Sequence, residues 1–321
     1  MDNLGISSND ISQLRKGYEQ LKSIFEPYGF LIQQFETNSE ELQTRINSEA
    51  DIENNNSDCV KLLGIKWNKS TDIIYTKPID LNTDACSKRQ ILSTIASQFD
   101  LFQFNGPLLN RARLMLHDLQ CDKELGWDET LSDDLLKEWK NIVKQANSSM
   151  PIQINRSFGG RYDEYELIAF SDAITKLYGC VLYLVNLNTK HINFILARNK
   201  MVNKNLDEKS VPCLELQAIV LACETIIDVY NELCGDKCLI PINISKLKVF
   251  SDSLVAINWL NSYVVKIDKM QQKPVFVLNR LEKICKLADK HPIEFSFIAG
   301  MENPADAITR PLSYKSLMKT N

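Results

Sequence analysis

Two segments of the chain share one pattern, an apolar run that ends in Phe-Ser-Asp. One is residues 164–173, ending in FSDA, and the other is residues 246–253, ending in FSDS. Short apolar runs rich in β-branched and aromatic residues are typical of buried strands. Functional side chains in α/β sheets gather where strands end. The repeat therefore predicts that Asp172 and Asp252 emerge at the same edge of one sheet.

The chain around these two segments alternates between strand and helix patterns. Two more strands are predicted at 178–185 and 191–197, and a basic loop follows at 198–211. A long helix is predicted from Pro212 to about Leu233, since proline suits the first helical turn. Three strands followed by alternating helices and strands predict an α/β domain with a mixed sheet and flanking helices. The remaining predictions are helices at 254–262, 274–289 and from 303, and a strand at 294–300.

The first half of the chain has a different organisation. Residues 87–147 keep helical periodicity in three stretches, the last with Ser132 as the expected N-cap. Residues 147–160 are interpreted as a linker because Ser, Asn, Pro and Gly are frequent there. The segments before residue 80 predict a helix at 8–26, a strand at 29–35, a polar loop at 46–58 and a hairpin formed by 60–67 and 71–76.

Composition excludes several classes of protein. The apolar content of 44% and charged content of 24% are those of a globular protein, and no run approaches the ~18–20 apolar residues of a membrane span. The first residues lack the pattern of a secretory signal. The nine cysteines are scattered, so reduced thiols are expected. These features predict a cytoplasmic or nuclear protein that is neither secreted nor bound to a membrane.

Two further carboxylates occur at element boundaries, Glu215 in CLELQA and Asp306 in NPAD. Each of the four acidic residues, taken alone, could cap a turn or complement a helix N-terminus. As a set they would repel one another and raise each other's pKa unless a cation neutralised them. The chain has only three histidines, so oxygen ligation of Mg²⁺ is the natural expectation.

A known family has these motifs in this order. The succession FSDA, LYGCVLYL, PCLELQA, FSDS and NPADAITR resembles the RNase H domain of the Pao/BEL class of LTR retrotransposons. Upstream, LLGIKW, KRQILSTIASQFD, LGWDE and LLKEWK resemble that family's connection between polymerase and RNase H. The resemblance implies a reverse-transcriptase palm remnant at 1–80, a helical thumb or connection region at 81–150 and an RNase H-like domain at 160–315.

The resemblance also implies a chemistry. Asp172, Glu215 and Asp252 would be the metal-binding core and Asp306 would complete the site of a second ion, with two Mg²⁺ as cofactors and Mn²⁺ as a substitute. The implied reaction is hydrolysis of the RNA strand of an RNA–DNA hybrid, recognised by shape and 2′-hydroxyl contacts rather than by base sequence. An alternative, a catalytically silent remnant that binds nucleic acid or bridges to other Pol domains, remains open.

The sequence departs from the family's pattern at three places. Residues 299–306 lack the histidine that cellular RNase H enzymes usually carry before the last Asp, which predicts slower product release or metal turnover. Residues 100–103 replace the family's Asp-Pro-Leu-Gly. Met1-Asp2-Asn3 resembles the end of a polymerase Tyr-x-Asp-Asp motif, which predicts a Pol fragment without polymerase activity, whose partners include the remaining Pol domains.

The same region of the family is sometimes called a retrotransposon peptidase. An aspartic peptidase needs Asp-Thr-Gly or Asp-Ser-Gly, and neither tripeptide occurs in this sequence. Peptidase activity is therefore not expected.

Basic residues near the acidic motifs are candidates for contacts with the hybrid's phosphates. Solvated helix or loop surfaces are the alternative interpretation of such runs, whereas phosphate contacts would make binding depend on salt. The candidates are Arg198, Lys200 and Lys204 in the segment before Glu215, and Lys269 and Lys273 in the later basic cluster.

Overall fold

The computed structural model describes residues 4–8, 10–30, 35–50, 57–62, 64–160, 162–202, 210–235, 241–265 and 273–312. The chain forms two compact units. One comprises Met1–Lys77 with Pro151–Ser157, and the other comprises Pro78–Met150 with Phe158–Asn321. Among the described residues, no helix is both long and apolar enough to cross a membrane.

The first unit contains two helices and a small antiparallel sheet of order β1-β2-β3-β4. The predicted first helix is confirmed, and Asp10 caps it by accepting a hydrogen bond from the backbone N–H of Ser12. The predicted hairpin across residues 68–70 is also confirmed as β2 and β3. The elements are α1 (Ile11–Phe25), a 3-10 turn (Glu26–Tyr28), α2 (Glu40–Ala50), β1 (Cys59–Leu62), β2 (Ile65–Asn68), β3 (Ile73–Tyr75) and β4 (Gln153–Asn155).

Three expectations for this unit need correction. The polar loop predicted at 46–58 begins inside α2, which forms because Leu42 and Ile46, one turn apart, are buried beside Tyr18. Residues 60–67 are two strands rather than one, joined at Gly64, whose φ of 82° suits glycine. The linker predicted at 147–160 contains β4, which pairs with β3. Most of the strand predicted at 29–35 lies outside the described residues.

The second unit begins with the three predicted helices: α3 (Lys88–Ala96), α4 (Gly106–Cys121) and α5 (Asp133–Asn147). Ser132 precedes α5 as predicted, but its side chain makes no capping hydrogen bond. Gln103 has a φ of 54° in the turn before α4. This is the position where the family's Asp-Pro-Leu-Gly carries glycine, so the left-handed backbone conformation occurs here without it.

A five-stranded mixed sheet of order β7-β6-β5-β8-β9 forms the rest of this unit. β5, β6 and β7 pair antiparallel in succession, while β8 and β9 run parallel to β5. The predicted α/β class with a mixed sheet and flanking helices is confirmed. The elements are β5 (Glu164–Ala173), β6 (Leu177–Asn186), β7 (Ile192–Met201), α6 (Val211–Cys234), β8 (Asn243–Ser251), α7 (Leu254–Val265), α8 (Val275–Lys290), β9 (Ile293–Phe297), a 3-10 turn (Gly300–Glu302) and α9 (Asp306–Thr309).

The two faces of this sheet are covered unequally. The largely buried helix α6 packs on one face with α7 and α8, in a core that includes Leu167, Leu182 and Val249. A smaller cluster on the other face joins Val181 to Ile308 of α9. Burial of α6 on nearly all sides explains why it is apolar around its whole circumference.

One prediction about the sheet was wrong. Residues 198–201, which were expected to begin a basic loop, are the end of β7. They extend the strand because β6 offers them a complete partner up to the pair Leu177 and Met201. Residues 203–209 of that predicted loop lie outside the described part of the chain.

Candidate metal centre

The register of the two central strands places two acidic residues side by side. β5 and β8 are parallel, and Ser171 is the Cα partner of Ser251. Asp172 and Asp252 therefore follow at the same edge of the sheet, as their matching sequences predicted. The parallel arrangement is needed for this result, because antiparallel strands would send the two ends to opposite edges.

Glu215 approaches this edge from the helix that covers the sheet. It lies one turn inside α6 and is 6% exposed. Asp172, Glu215 and Asp252 each offer one carboxylate oxygen such that the three oxygens lie within 4.8 Å of one another. The structure therefore brings three of the four predicted residues into a cluster that could hold a metal ion.

Asp306, the fourth predicted residue, lies beside this cluster rather than within the set of three. It is the first residue of α9, and its Oδ1 is 3.2 Å from Nη2 of Arg310. Its carboxyl group is close enough to those of Asp172 and Asp252 for their charges to interact. Asp306 thus borders the cluster on the side of α9.

Two side chains that the sequence analysis did not single out hold this edge together. The hydroxyl of Thr309 donates a hydrogen bond to Oδ2 of Asp172. Nδ2 of Asn303 donates to the carbonyl of Ser171 at 3.0 Å, and Oδ1 of the same side chain accepts from the N–H of Ala305 at 3.1 Å. Both residues lie in the NPADAITR motif, but only their contacts across the sheet reveal what they do.

Burial and mutual repulsion make the cluster electrostatically unfavourable for anions. Loss of solvation, followed by the charges of Asp172 and Asp252, raises the pKa of Glu215 to about 9. Loss of solvation also raises the pKa of Asp172 to about 6, although the Thr309 hydroxyl acts in the opposite direction. The pKa of Asp306 is raised for the same first reason. A bound cation would reverse these shifts by favouring the charged forms.

Unpaired oxygen atoms indicate where such a cation would bind. Oε2 of Glu215 and Oδ1 of Asp252 are buried and have no hydrogen-bond partner among the described residues, whereas the buried Oδ1 of Asp306 faces Nη2 of Arg310. Buried carboxylate oxygens without a partner are rare because their desolvation is costly. Hard oxygen ligands are those that Mg²⁺ and Mn²⁺ prefer, so the donor set fits a divalent metal.

The predicted phosphate-binding residues are only partly within the described chain. Asp172 of β5 is paired with Gly179 of β6, which is paired in turn with Asn199 of β7. Lys200 is the next residue along β7, so it lies at the same end of the sheet as the carboxylates. Lys204 and Lys269 lie outside the described residues.

The two other predicted basic residues have partners within the protein. Nη1 of Arg198 is 2.8 Å from Oδ2 of Asp228 in an ion pair on the α6 face. Nζ of Lys273, just before α8, lies 5.3 Å from the centre of the Trp259 ring. Their contribution to nucleic-acid binding stays a prediction.

A mixed sheet whose first and fourth strands end in neighbouring aspartates, with a glutamate from the covering helix, defines an RNase H-like domain. The family model described as "Pao retrotransposon-like RNaseH-like domain" matches residues 87–253, about half of the chain. The chain belongs to this family, which confirms the resemblance seen in the sequence. The match spans Asp172, Glu215 and Asp252, whereas Asp306 lies beyond its end. None of the curated proteins matches the sequence significantly.

Solved structures show more distant similarity. The foamy viral protease-reverse transcriptase in complex with RNA/DNA hybrid is 12% identical, with 75% of this chain and 29% of that chain covered at a TM-score of 0.45. The corresponding dsDNA complex covers 75% of this chain and 38% of that chain, with 12% identity and a TM-score of 0.43. RNase H1 from Halobacterium salinarum is 9% identical, with 49% of this chain and 99% of that chain covered at a TM-score of 0.31.

This chain therefore spans about a third of the length of the foamy virus chains it matches.

Proposed function

We propose that this protein hydrolyses the RNA strand of RNA–DNA hybrids in a reaction that depends on a divalent metal. The observation that carries the proposal is the approach of carboxylate oxygens of Asp172, Glu215 and Asp252 to within 4.8 Å of one another. Membership of a family with an RNaseH-like domain gives this cluster its expected chemistry.

The four carboxylates would hold the metal, with Asp172, Glu215 and Asp252 at its centre and Asp306 at its border. Two divalent ions held there, Mg²⁺ or alternatively Mn²⁺, would supply activation of water and stabilisation of the leaving oxygen of a phosphodiester. Glu215 and Asp252 each have a buried oxygen without a hydrogen-bond partner among the described residues. These oxygens are available to a ligand without the loss of any hydrogen bond seen among the described residues.

The neighbouring side chains keep the cluster in one arrangement. Thr309 donates to Oδ2 of Asp172, which leaves the other oxygen of that carboxylate for a ligand. Asn303 ties the backbone at Ser171 to the start of α9. Fixing carboxylates through such neighbouring hydrogen bonds is how proteins maintain metal sites in a defined geometry.

The hybrid would bind at the end of the sheet where the carboxylates lie. Lys200 lies at this end, and we propose that it contacts the phosphate backbone together with Arg198, Lys204, Lys269 and Lys273. Contacts of this kind position a duplex without reading its bases. Recognition of the hybrid would then rest on its shape and on its 2′-hydroxyl groups.

The test is cleavage of end-labelled RNA in an RNA–DNA hybrid with Mg²⁺ or Mn²⁺. We expect cleavage by the wild-type protein and none by Asp252→Asn. The matched control is Asp134→Asn, an equally conservative change at a carboxylate that is 94% exposed on α5. RNA–RNA and DNA–DNA duplexes of the same sequence should remain intact.

Two results would contradict the proposal. One is the absence of cleavage by folded wild-type protein with either metal, which is the outcome predicted for a catalytically silent nucleic-acid-binding or structural module. The other is equal cleavage by the wild type and Asp252→Asn, which would trace the activity to another site or to a contaminant.

A further inference from the structure

The short helix α9 carries two side chains of the candidate metal centre. It consists of Asp306–Thr309 and presents the Asp306 carboxylate and the Thr309 hydroxyl to the cluster. A helix of this length has almost no stability of its own. Its position must therefore come from contacts with the rest of the protein.

The carbonyl end of α9 is held by amide side chains from two other elements. The carbonyl of Ile308 accepts one hydrogen bond from Nδ2 of Asn110 at 2.7 Å and another from Nδ2 of Asn199 at 3.1 Å. Asn199 lies on β7, whereas Asn110 lies on α4, in the helical segment upstream of the sheet. The bond from Asn110 spans 198 positions in the sequence.

These groups form a closed network. Nδ2 of Asn199 also donates to Oδ1 of Asn110 at 2.8 Å, and Nη1 of Arg113 donates to Oδ1 of Asn199 at 2.9 Å. The side chain of Asn110 is completely buried. A buried amide is retained only where its hydrogen bonds are satisfied, and this network uses both ends of each amide.

The side chain of Ile308 also packs closely against the backbone of α4 at Gly106. A Cβ atom added at Gly106, the first residue of α4, would lie 2.6 Å from Cδ1 of Ile308. Ile308 itself is fully buried against Val181 and Ala197 of the sheet. Packing and hydrogen bonds therefore fix the same residue of α9, which lies directly between Asp306 and Thr309 along the helix.

We propose that Asn110, acting with Asn199, is a positioning residue for the metal centre. It holds the Ile308 carbonyl, and through the α9 backbone it keeps Asp306 and Thr309 facing Asp172. The helical segment before the sheet then completes the RNase H-like site rather than merely preceding it in the chain. The inference rests on the proposed metal-dependent function, because it assigns to the network an effect on metal affinity.

The test uses the full chain and Mn²⁺ alone as the probe, with affinity measured by isothermal titration calorimetry. Asn110→Asp keeps the size of the side chain but replaces the donor with an acceptor facing the Ile308 carbonyl. We expect its affinity for Mn²⁺ to fall about ten- to hundredfold, the usual effect of removing a partner that orients ligands. Asn141→Asp, the same change on the exposed side of α5, should bind Mn²⁺ like the wild type.

Hydrogen exchange measured without metal provides a second readout. In Asn110→Asp the amides of 306–310 should exchange faster, while those of β5 and α6 keep their protection. Asn199→Ala removes only one donor to Ile308 and should give a smaller effect in both measurements. It also serves as the test variant if Asn110→Asp does not fold.

The possible outcomes separate this inference from the proposed function. If the wild-type protein binds no Mn²⁺, the proposed function fails and the positioning role fails with it. If the wild type binds Mn²⁺ and folded Asn110→Asp binds it equally well, only the positioning role is overturned. Failure of both variants to fold would also overturn it, because the network would then support the whole domain rather than α9.

Discussion

The hydroxyl of Thr309 donates a hydrogen bond to Oδ2 of Asp172, and this bond joins the last described helix to the central strand of the sheet. Both residues are buried. The bond favours the charged form of Asp172 against the effect of burial, which raises its pKa to about 6. It therefore contributes to keeping this carboxylate able to bind a cation near neutral pH.

Replacing Thr309 by valine should weaken metal binding. Valine has nearly the shape of threonine but lacks the hydroxyl, so the pKa of Asp172 should rise further and its orientation should loosen. We expect the affinity for Mn²⁺ at neutral pH to fall about tenfold or more, as for other partners that orient metal ligands. Calorimetric titration measures the Mn²⁺ affinity. Thr309→Ser is the control because serine keeps the hydroxyl donor. Equal affinities of valine variant and wild type would refute this role of the hydroxyl.

Asp252→Asn should have opposite effects on stability in the absence and presence of metal. Oδ1 of Asp252 is buried without a partner beside two other carboxylates. Removing its charge should stabilise the metal-free protein, because the negative charge of Asp252 disfavours the charged forms of Asp172 and Glu215. The wild type should instead gain roughly 2.7 kcal/mol when free metal is about 100 times its Kd, and the variant should gain little.

Thermal unfolding in EDTA and in Mg²⁺ measures both effects. The order of melting temperatures should reverse between the two conditions, with Asp252→Asn higher in EDTA and the wild type higher in Mg²⁺. Asp134→Asn should follow the wild type in both, since that carboxylate is exposed. A variant that is less stable than the wild type in EDTA would show that Asp252 is not under repulsive strain.

Stability of the metal-free protein should fall as the pH rises. The pKa of Glu215 is raised from 4.5 to about 9, mainly by burial and then by Asp172 and Asp252. Between these two values the folded protein holds a proton that the unfolded chain has lost, so the free energy of unfolding decreases with pH. The contribution is complete below about 4.5 and is lost as the pH approaches about 9.

Urea unfolding in EDTA between about pH 4.5 and 9 tests whether the free energy of unfolding falls with pH, with Glu215→Gln as the comparison. The glutamine variant should lose most of the slope because it has no proton to release. Saturating Mn²⁺ should reduce the slope in the wild type, since metal binding displaces the proton. A wild-type stability that rises with pH across the interval, or an identical slope in Glu215→Gln, would show that Glu215 is not buried as a neutral acid.

Gly179 permits the close packing of β6 beside the carboxylate cluster. A Cβ atom at this position would lie 2.8 Å from the backbone carbonyl of Arg198 and 3.1 Å from Cγ2 of Ile308. A paired backbone cannot move aside without breaking its ladder, so Gly179→Ala should destabilise the unit by about 1–3 kcal/mol. Urea unfolding measures the loss. Gly126→Ala, which meets only ordinary contacts at 3.5 Å or more, should change stability little; equal effects of the two would contradict the packing argument.

Local sequence patterns were sufficient to predict the strands that carry the carboxylates. The strand predicted at 164–173 is β5, and the repeated Phe-Ser-Asp ending correctly placed Asp172 and Asp252 at one edge. These predictions succeeded because alternation, strand length and the position of a residue at a strand end are local properties. The same local evidence could not show that Asp306 would lie at the border of the cluster.

The errors arose where long-range contacts decide the structure. β4 lies in a segment that looks like a linker, and only its pairing with β3 makes it a strand. Asn110 occupies an ordinary helical position, and its bond to Ile308 becomes visible only in the folded chain. The error at α2 was avoidable, because Leu42 and Ile46 already showed the one-turn spacing of a buried helix face.

Lys200 should contribute to hybrid binding through its charge. It lies at the carboxylate end of the sheet on β7, whereas Lys246 lies at the opposite end, near the start of β8. In EDTA, which prevents turnover, Lys200→Ala should weaken hybrid binding and reduce the slope of log affinity against log salt by about one. Fluorescence anisotropy measures this slope, and Lys246→Ala is the matched control. If both variants changed the slope equally, or neither did, the hybrid would not be bound at the carboxylate end of the sheet by Lys200.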